Sequence, residues 1–471
     1  MSTGRTVHSF TDDALGDLDA VGLAGRIRSG EVGREEVVAA AITRVEKVDE
    51  QLNAVQAECF DKALWGARHA RAGVFSGVPS FVKDNTDVVG LPTCHGSAAF
   101  DPRPAKRNSP PADQFLAQGF VLLGKSTMPE FGLTASTEYA GRPPTRNPWN
   151  TAYSAGASSG GAGALVASGA VPIAHGNDGG GSIRIPAAVN GLVGLKMTRC
   201  RLLDPPGARS LPVNLVSEGV LSRTVRDTAR YLAAAEKFRP NRDLSPVGLV
   251  EGPGEGRLRI GVVRYDVLGR PVHQETGAVL DSAVKALAEL GHEIREVRLD
   301  LDARFVEDFK LYWALFAVLL SASSKAGYGR SFRPRDLDPF TKGLAGLVRR
   351  GPLELVPAVR RLRGATALYD AHFTDLDVLM SPVLSHPAPL LGEMAPDRPF
   401  EETFAKLVDY VGFTPINNIG GGPGISVPHG LFSNGLPGSV QLSAARGGER
   451  TLLELAYELE EISPFPKIHS V

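Results

Sequence analysis

Between Gly156 and Gly194, 11 of 39 residues are glycine, in a chain of 471 residues that holds 53 glycines in all. Glycine reaches positive φ and leaves its backbone N–H uncovered, so a run this dense implies segments in close contact and loops able to cradle an anion or oxyanion. Two pieces stand out, GASSGG (Gly156 to Gly161) and HGNDGGGSIRIPAA (His175 to Ala188). Around them, short apolar runs alternate with helical stripes. GFVLLG (Gly119 to Gly124), AVPIAHG (Ala170 to Gly176), LRIGVVR (Leu258 to Arg264) and DVLMSP (Asp377 to Pro382) read as strands. Residues Glu35 to Val48 set Val37, Val38, Ala41, Ile42 and Val45 on one helical face, and Thr276 to Leu290 repeat the pattern. GISVPHG and SVQLSA add strands ahead of a helix from Glu449 to Glu461. This alternation predicts an α/β fold whose helices cover a largely buried sheet.

Composition narrows the function. The most apolar stretch, Leu311 to Leu320, spans ten residues, against about 20 for a membrane helix. The N-terminal MSTGRTVHSFTDD lacks the basic and apolar regions of a secretory signal, so the expected compartment is cytoplasmic. Lys and Arg total 51 against 52 Asp and Glu, and without a basic block there is no electrostatic footprint for nucleic acid. Cys59, Cys94 and Cys200 are too few and scattered for a disulfide framework or zinc knuckle, and read as small buried or half-buried hydrophobes. The one candidate linker runs from Pro240 to Arg259, so a single folded unit with an insertion is expected.

The glycine-rich pieces admit several chemistries. Tight turns are the plainest. A nucleotide cradle built from these pieces would need GxxxxGK[ST] or GxGxxG, and neither occurs between Gly156 and Gly194. Gly156 to Gly160 formally fit the GxSxG elbow, but that elbow follows a strand, whereas RNPWNTAYSA is polar and contains proline.

Five segments, in order, resemble the amidase signature family of serine amidohydrolases: Gly77 to Ser97, LLGKSTMPEFG (Leu122 to Gly132), TRNPWN (Thr145 to Asn150), Ala155 to Thr198 and Gly424 to Leu442. HGND and EGVLSRTVRD (Glu218 to Asp227) look most like bacterial AmiC-type amidases and aminohexanoate cyclic dimer hydrolases. The resemblance implies a single α/β/α sandwich with a mixed central β-sheet. It also implies one amidase domain, with N-terminal helices (1–75), a signature core (76–240), a variable insertion (241–370) and C-terminal strands and helix (371–471).

By the same resemblance, Lys83 is the base, Ser158 a relay preceded by a cis peptide, and Ser182 the nucleophile. The chemistry fits, because a serine hydroxyl needs a base and lysine serves only when neutral. With an ordinary pKa near 10.4, roughly one lysine in a few thousand is neutral at pH 7, so burial has to lower it. The N–H groups of Gly179, Gly180, Gly181 and Ser182 are the expected oxyanion hole. Ser159 is expected to support Ser158 by hydrogen bonding, and Asp178 and Arg184 to orient the nucleophile loop. His95 and His175 read as structural, and Trp149 and Phe131 as packing around the motifs. Ala157 stands where the family usually has glycine, and Asn177 where it usually has threonine. Both lie outside the three reacting positions.

No cofactor or metal is implied. The expected partner is a small-molecule amide, with no nucleic acid and no membrane, and a homodimer left open. Three functions follow: a stand-alone carboxamide hydrolase working through an acyl-serine, the glutaminase subunit of a tRNA-dependent amidotransferase, or a silent scaffold. Amidotransferase subunits resemble one another through an RYDG-type motif, which is absent between Leu301 and Tyr369. A silent copy has no chemical reason to keep Lys83, Ser158 and Ser182 together. Pocket walls are expected from Val306 to Leu362 and from loops near Thr134 and Asn418. Phe309, Tyr312, Trp313 and Phe316 are helically spaced and read mainly as core.

Overall fold

The computed structural model describes residues 4–299, 301, 304–322 and 327–470. Its strands are β1 (Val55–Glu58), β2 (Pro79–Lys83), β3 (Val121–Ser126), β4 (Ile173–Asp178), β5 (Val193–Lys196), β6 (Ser217–Ser222), β7 (Arg259–Val263), β8 (Glu293–Val297), β9 (Val378–Pro382), β10 (Gly424–Leu431) and β11 (Pro437–Ser443). Eight form one sheet in the order β4-β6-β5-β10-β11-β9-β7-β8. It is mixed, with β7 parallel to β8 and β9 and the remaining pairs antiparallel. Helices flank it, as the alternating pattern predicts.

The sheet comes in two pieces rather than one. Strands β1, β3 and β2 pair separately, and β2 meets β4 through side chains where a ladder would otherwise continue. The Ser80 hydroxyl donates to the Ile173 carbonyl at 2.7 Å, and the Lys83 N–H points at His175 Nδ1 at 3.5 Å. Lys83 ends β2 at this seam, beside β4.

The helix expected over Glu35 to Val48 runs Arg34–Leu52 and buries Val37, Val38, Ala41, Val45, Val48 and Leu52. It stops at Asn53, which is left-handed at φ 49, while Asp49 Oδ1 accepts from the N–H groups of Ala54 and Val55. The strand expected over Ala170 to Gly176 begins at Ile173, after Pro172, and extends through Asn177 and Asp178. Hydropathy alone would end it sooner, because its last residues are polar though buried.

The helix Gly160–Ala167 is buried on every side, as expected for a helix apolar all round. A Cβ on Gly161 would lie 2.4 Å from the Thr127 backbone nitrogen. Intrinsic propensity favours Ala over Gly by about 1 kcal/mol inside a helix, but a clash with fixed backbone costs about 1–3 kcal/mol or more. Among the described residues, no helix is long and apolar enough to cross a membrane. Gly161→Ala is therefore expected to lower the urea midpoint, against the helix-propensity trend. A raised midpoint would show that this packing is looser than described.

Candidate active site

Lys83 is fully buried. Burial lowers its pKa from 10.5 to about 7, with the charges of Glu218 and Asp178 pulling the other way. At that value a large fraction of the amine is neutral at physiological pH. Its Nζ sits 2.8 Å from Ser158 Oγ, 2.8 Å from Asn177 Oδ1 and 3.2 Å from the Asn177 carbonyl oxygen.

Ser158 follows a cis peptide bond from Ala157. Gly132 faces it at φ +72, and a Cβ there would lie 2.9 Å from Ser158 Oγ. A side chain at 132 would thus be both strained and in the way of the Ser158 hydroxyl. The next residue, Ser159, caps the buried helix Gly160–Ala167, and its N–H donates to the Ser182 carbonyl at 3.2 Å. That bond ties the two serine segments together.

Ser182 lies on the loop between β4 and the helix Arg184–Asn190, with 8% of its surface exposed. A buried carboxylate shapes this loop: Asp178 accepts from the N–H groups of Gly181 (2.8 Å), Ile183 (3.1 Å) and Arg184 (3.4 Å). It also pairs with the Arg184 guanidinium at 3.0 Å through both oxygens. Burial pushes the Asp178 carboxyl up, but Arg184 and the Asn418 amide outweigh it and hold it well below the usual carboxylate range. Arg184 in turn donates to the Thr414 carbonyl, Asn417, Asn418 and Gln441. The loop is thereby locked to the segment Pro415–Gly420 and to β11.

The oxyanion-hole expectation narrows here. The Gly181 N–H is already given to Asp178, and the Gly180 carbonyl accepts from the Thr414 hydroxyl at 2.6 Å. Among the described residues, no hydrogen bond uses the N–H groups of Gly179, Gly180 or Ser182. Ser159 is a second correction: its hydroxyl reaches the Asn177 carbonyl at 3.5 Å rather than Ser158. His175 lies 2.9 Å from Glu218 inside the sheet, and Trp149 donates to the Asn190 carbonyl within the core.

Beside Ser182 opens an apolar pocket of about 710 Å³ including its mouth, lined by Leu133, Ile185, Phe309, Trp313, Phe404 and Leu407 among others. Trp313 is held there by a bond from its indole N–H to the Leu133 carbonyl at 3.1 Å. Of the four helically spaced aromatics, Tyr312 is core, whereas Phe309 and Trp313 face the pocket. Thr134 and Val306 also line it, but Asn418 does not, being taken by Asp178 and Arg184. The helix Phe400–Tyr410, which supplies Phe404 and Leu407, was not among the expected walls. Asn177, Asn85 and Glu218 are likewise unforeseen members of the lysine's surroundings. The exchange of threonine for asparagine at 177 was the signal that could have marked them.

A family model described as Amidase matches residues 36–453, and the chain belongs to that family. Over 467 residues it is 47% identical to the protein named "Putative amidase AmiC" of Mycobacterium tuberculosis, with 98% of each chain covered. It superposes on the structure of 6-aminohexanoate cyclic dimer hydrolase with a TM-score of 0.87 at 31% identity, covering 96% of this chain and 98% of that one. A more distant relative, 30% identical over 480 residues, is a glutamyl-tRNA(Gln) amidotransferase subunit of Desulfotalea psychrophila, with 93% of this chain and 96% of that one covered. The protein is an amide-hydrolysing enzyme.

Removing Asp178 leaves the Arg184 charge buried without its counter-ion, which costs about 3–5 kcal/mol. Asp178→Ala is expected to lose stability on that scale in denaturant titration, far more than a surface aspartate would. A loss below about 1 kcal/mol would mean that the loop holds itself without the pair.

Proposed function

We propose that the protein cleaves the C–N bond of a carboxamide through an acyl-enzyme on Ser182, with Lys83 as general base and Ser158 as proton relay. The observation that carries this reading is the buried Lys83 amine 2.8 Å from Ser158 Oγ, with its pKa brought down to about 7. Ser182 Oγ attacks the carbonyl carbon while its proton passes to Ser158 and the Ser158 proton to Lys83. The N–H groups of Gly179, Gly180 and Ser182 hold the oxyanion. Collapse of the tetrahedral intermediate breaks the C–N bond as the proton returns through Ser158 to the leaving nitrogen. Water then attacks the acyl-serine by the same relay and releases the carboxylate.

The pocket favours a stand-alone amidase over a glutaminase subunit. Glutamine carries an ammonium and a carboxylate on its α-carbon, and both need charged or strongly polar partners. Among the described lining residues only Lys310 is charged, and its Nζ lies 2.6 Å from Glu307. An apolar acyl or amine group, aryl or alkyl, suits walls built from Phe309, Trp313 and Leu407.

Purified enzyme is expected to release ammonia or amine from such amides. Ser182→Ala should form no acyl-enzyme by mass spectrometry, and Lys83→Ala should lose several orders of magnitude in kcat/KM. Either variant keeping the wild-type rate would remove its residue from the mechanism. Because the base works when deprotonated, kcat/KM is expected to rise with pH and level off above about 7. A rate falling with pH across that window would contradict a lysine base.

A further inference from the structure

The Lys83 amine touches three oxygens, and two belong to one residue, Asn177. A neutral primary amine has two hydrogens and one lone pair in tetrahedral directions. The Asn177 backbone carbonyl and Oδ1 can only accept, so together they take both hydrogens. The remaining direction, toward Ser158 Oγ, is then the lone pair. We propose that Asn177 is the positioning residue that aims the lone pair of Lys83 at the Ser158 hydroxyl, so that Ser158 donates to lysine before reaction begins. This inference rests on the lysine–serine mechanism above and specifies what makes the lysine a base rather than a donor.

The argument requires that the Asn177 amide present its oxygen, not its nitrogen, to Lys83. Its surroundings decide that orientation. On the far side, Asn177 Nδ2 lies 2.9 Å from Asn85 Oδ1 and 3.5 Å from Glu218 Oε1. A carboxylate accepts only, so the amide N–H belongs toward Glu218 and the oxygen toward the amine. Asn85 Nδ2 returns a bond to Asn177 Oδ1 at 3.2 Å, closing an amide pair. Glu218 Oε2 is in turn 2.9 Å from His175 Nε2, which seats the carboxylate on the sheet. Asn177 thus stands as a neutral spacer between the buried amine and the buried carboxylate. The other charges near Lys83 have partners: Asp178 is paired with Arg184, and Asp84 accepts from the N–H groups of Cys94 and Gly96.

A neutral acceptor orients the amine without favouring its protonated form as a carboxylate would. Asn177→Asp places an acid at the same hydrogen-bond distance, so the acid limb of kcat/KM is expected to move alkaline by about one pH unit or more. Activity at pH 7 then falls about tenfold or more and returns at higher pH. Asn177→Ala leaves only the backbone acceptor, so the amine can turn. Its kcat is expected to fall about tenfold to a hundredfold, with KM within about twofold of wild type, because the residue does not line the pocket.

The test is the full pH–rate profile of wild type, Asn177→Asp and Asn177→Ala on one amide substrate, each checked for native thermal unfolding. A loss confined to kcat in Asn177→Ala, together with a displaced acid limb in Asn177→Asp, supports the inference, and the alanine variant decides if the aspartate variant does not fold. A folded Asn177→Ala with wild-type kcat, or a folded Asn177→Asp with an unmoved limb, overturns it. Lys83→Ala, run alongside, separates the two levels. If it stays active the lysine mechanism itself is wrong, whereas if it is dead and the Asn177 variants are unaffected, only the positioning role fails.

Discussion

The geometry of the site depends on one buried ion pair. Asp178 and Arg184 lie six residues apart, both fully enclosed, and between them they engage the glycine loop, the start of the following helix, Asn417 and Asn418 in the short helix Pro415–Gly420, and Gln441 on β11. A buried pair of this kind gains little net stability over apolar packing, since desolvating two charges offsets most of their attraction. Its return is positional. Three consecutive glycines would otherwise sample many backbone states, and a carboxylate accepting three of the surrounding N–H groups selects one. The Gly181 N–H is committed to Asp178, whereas among the described residues no hydrogen bond uses the N–H groups of Gly180 or Ser182.

Much of the architecture was legible because burial writes a periodic signal. The helix beginning at Arg34 and the strands β7 and β9 emerge within a few residues of where hydropathy places them. The signal fails where residues are buried for chemistry instead of hydrophobicity. Asn177 and Asp178 lengthen β4 past its apolar run, and Ser80 replaces a ladder bond between β2 and β4 with a hydroxyl. Neither periodicity nor propensity registers such substitutions.

The site divides in the same way. Lys83, Ser158 and Ser182 stand in recognisable motifs, but the partners that tune them lie elsewhere in the chain. Glu218 approaches the lysine from β6 and Asn418 reaches Asp178 across 240 positions of sequence. Phe309 and Trp313 show why a helical stripe of aromatics is ambiguous: one face of the helix Phe305–Ala322 buries Tyr312, and the adjoining face forms a wall. Spacing alone cannot tell a packed ring from one that borders a cavity.

The buried amine also links the fold to proton concentration. In the unfolded chain Lys83 would hold its proton up to its ordinary pKa of 10.5, whereas the folded chain releases it near 7. Between those values the unfolded state binds the extra proton, so this residue makes folding more favourable as alkalinity increases, by about 1.4 kcal/mol per pH unit. Below 7 both states are protonated and the whole penalty of a charged ammonium in the interior is present. The protein therefore carries this buried amine as a standing conformational burden in acid, and a chain with a neutral isostere at that position would shed it.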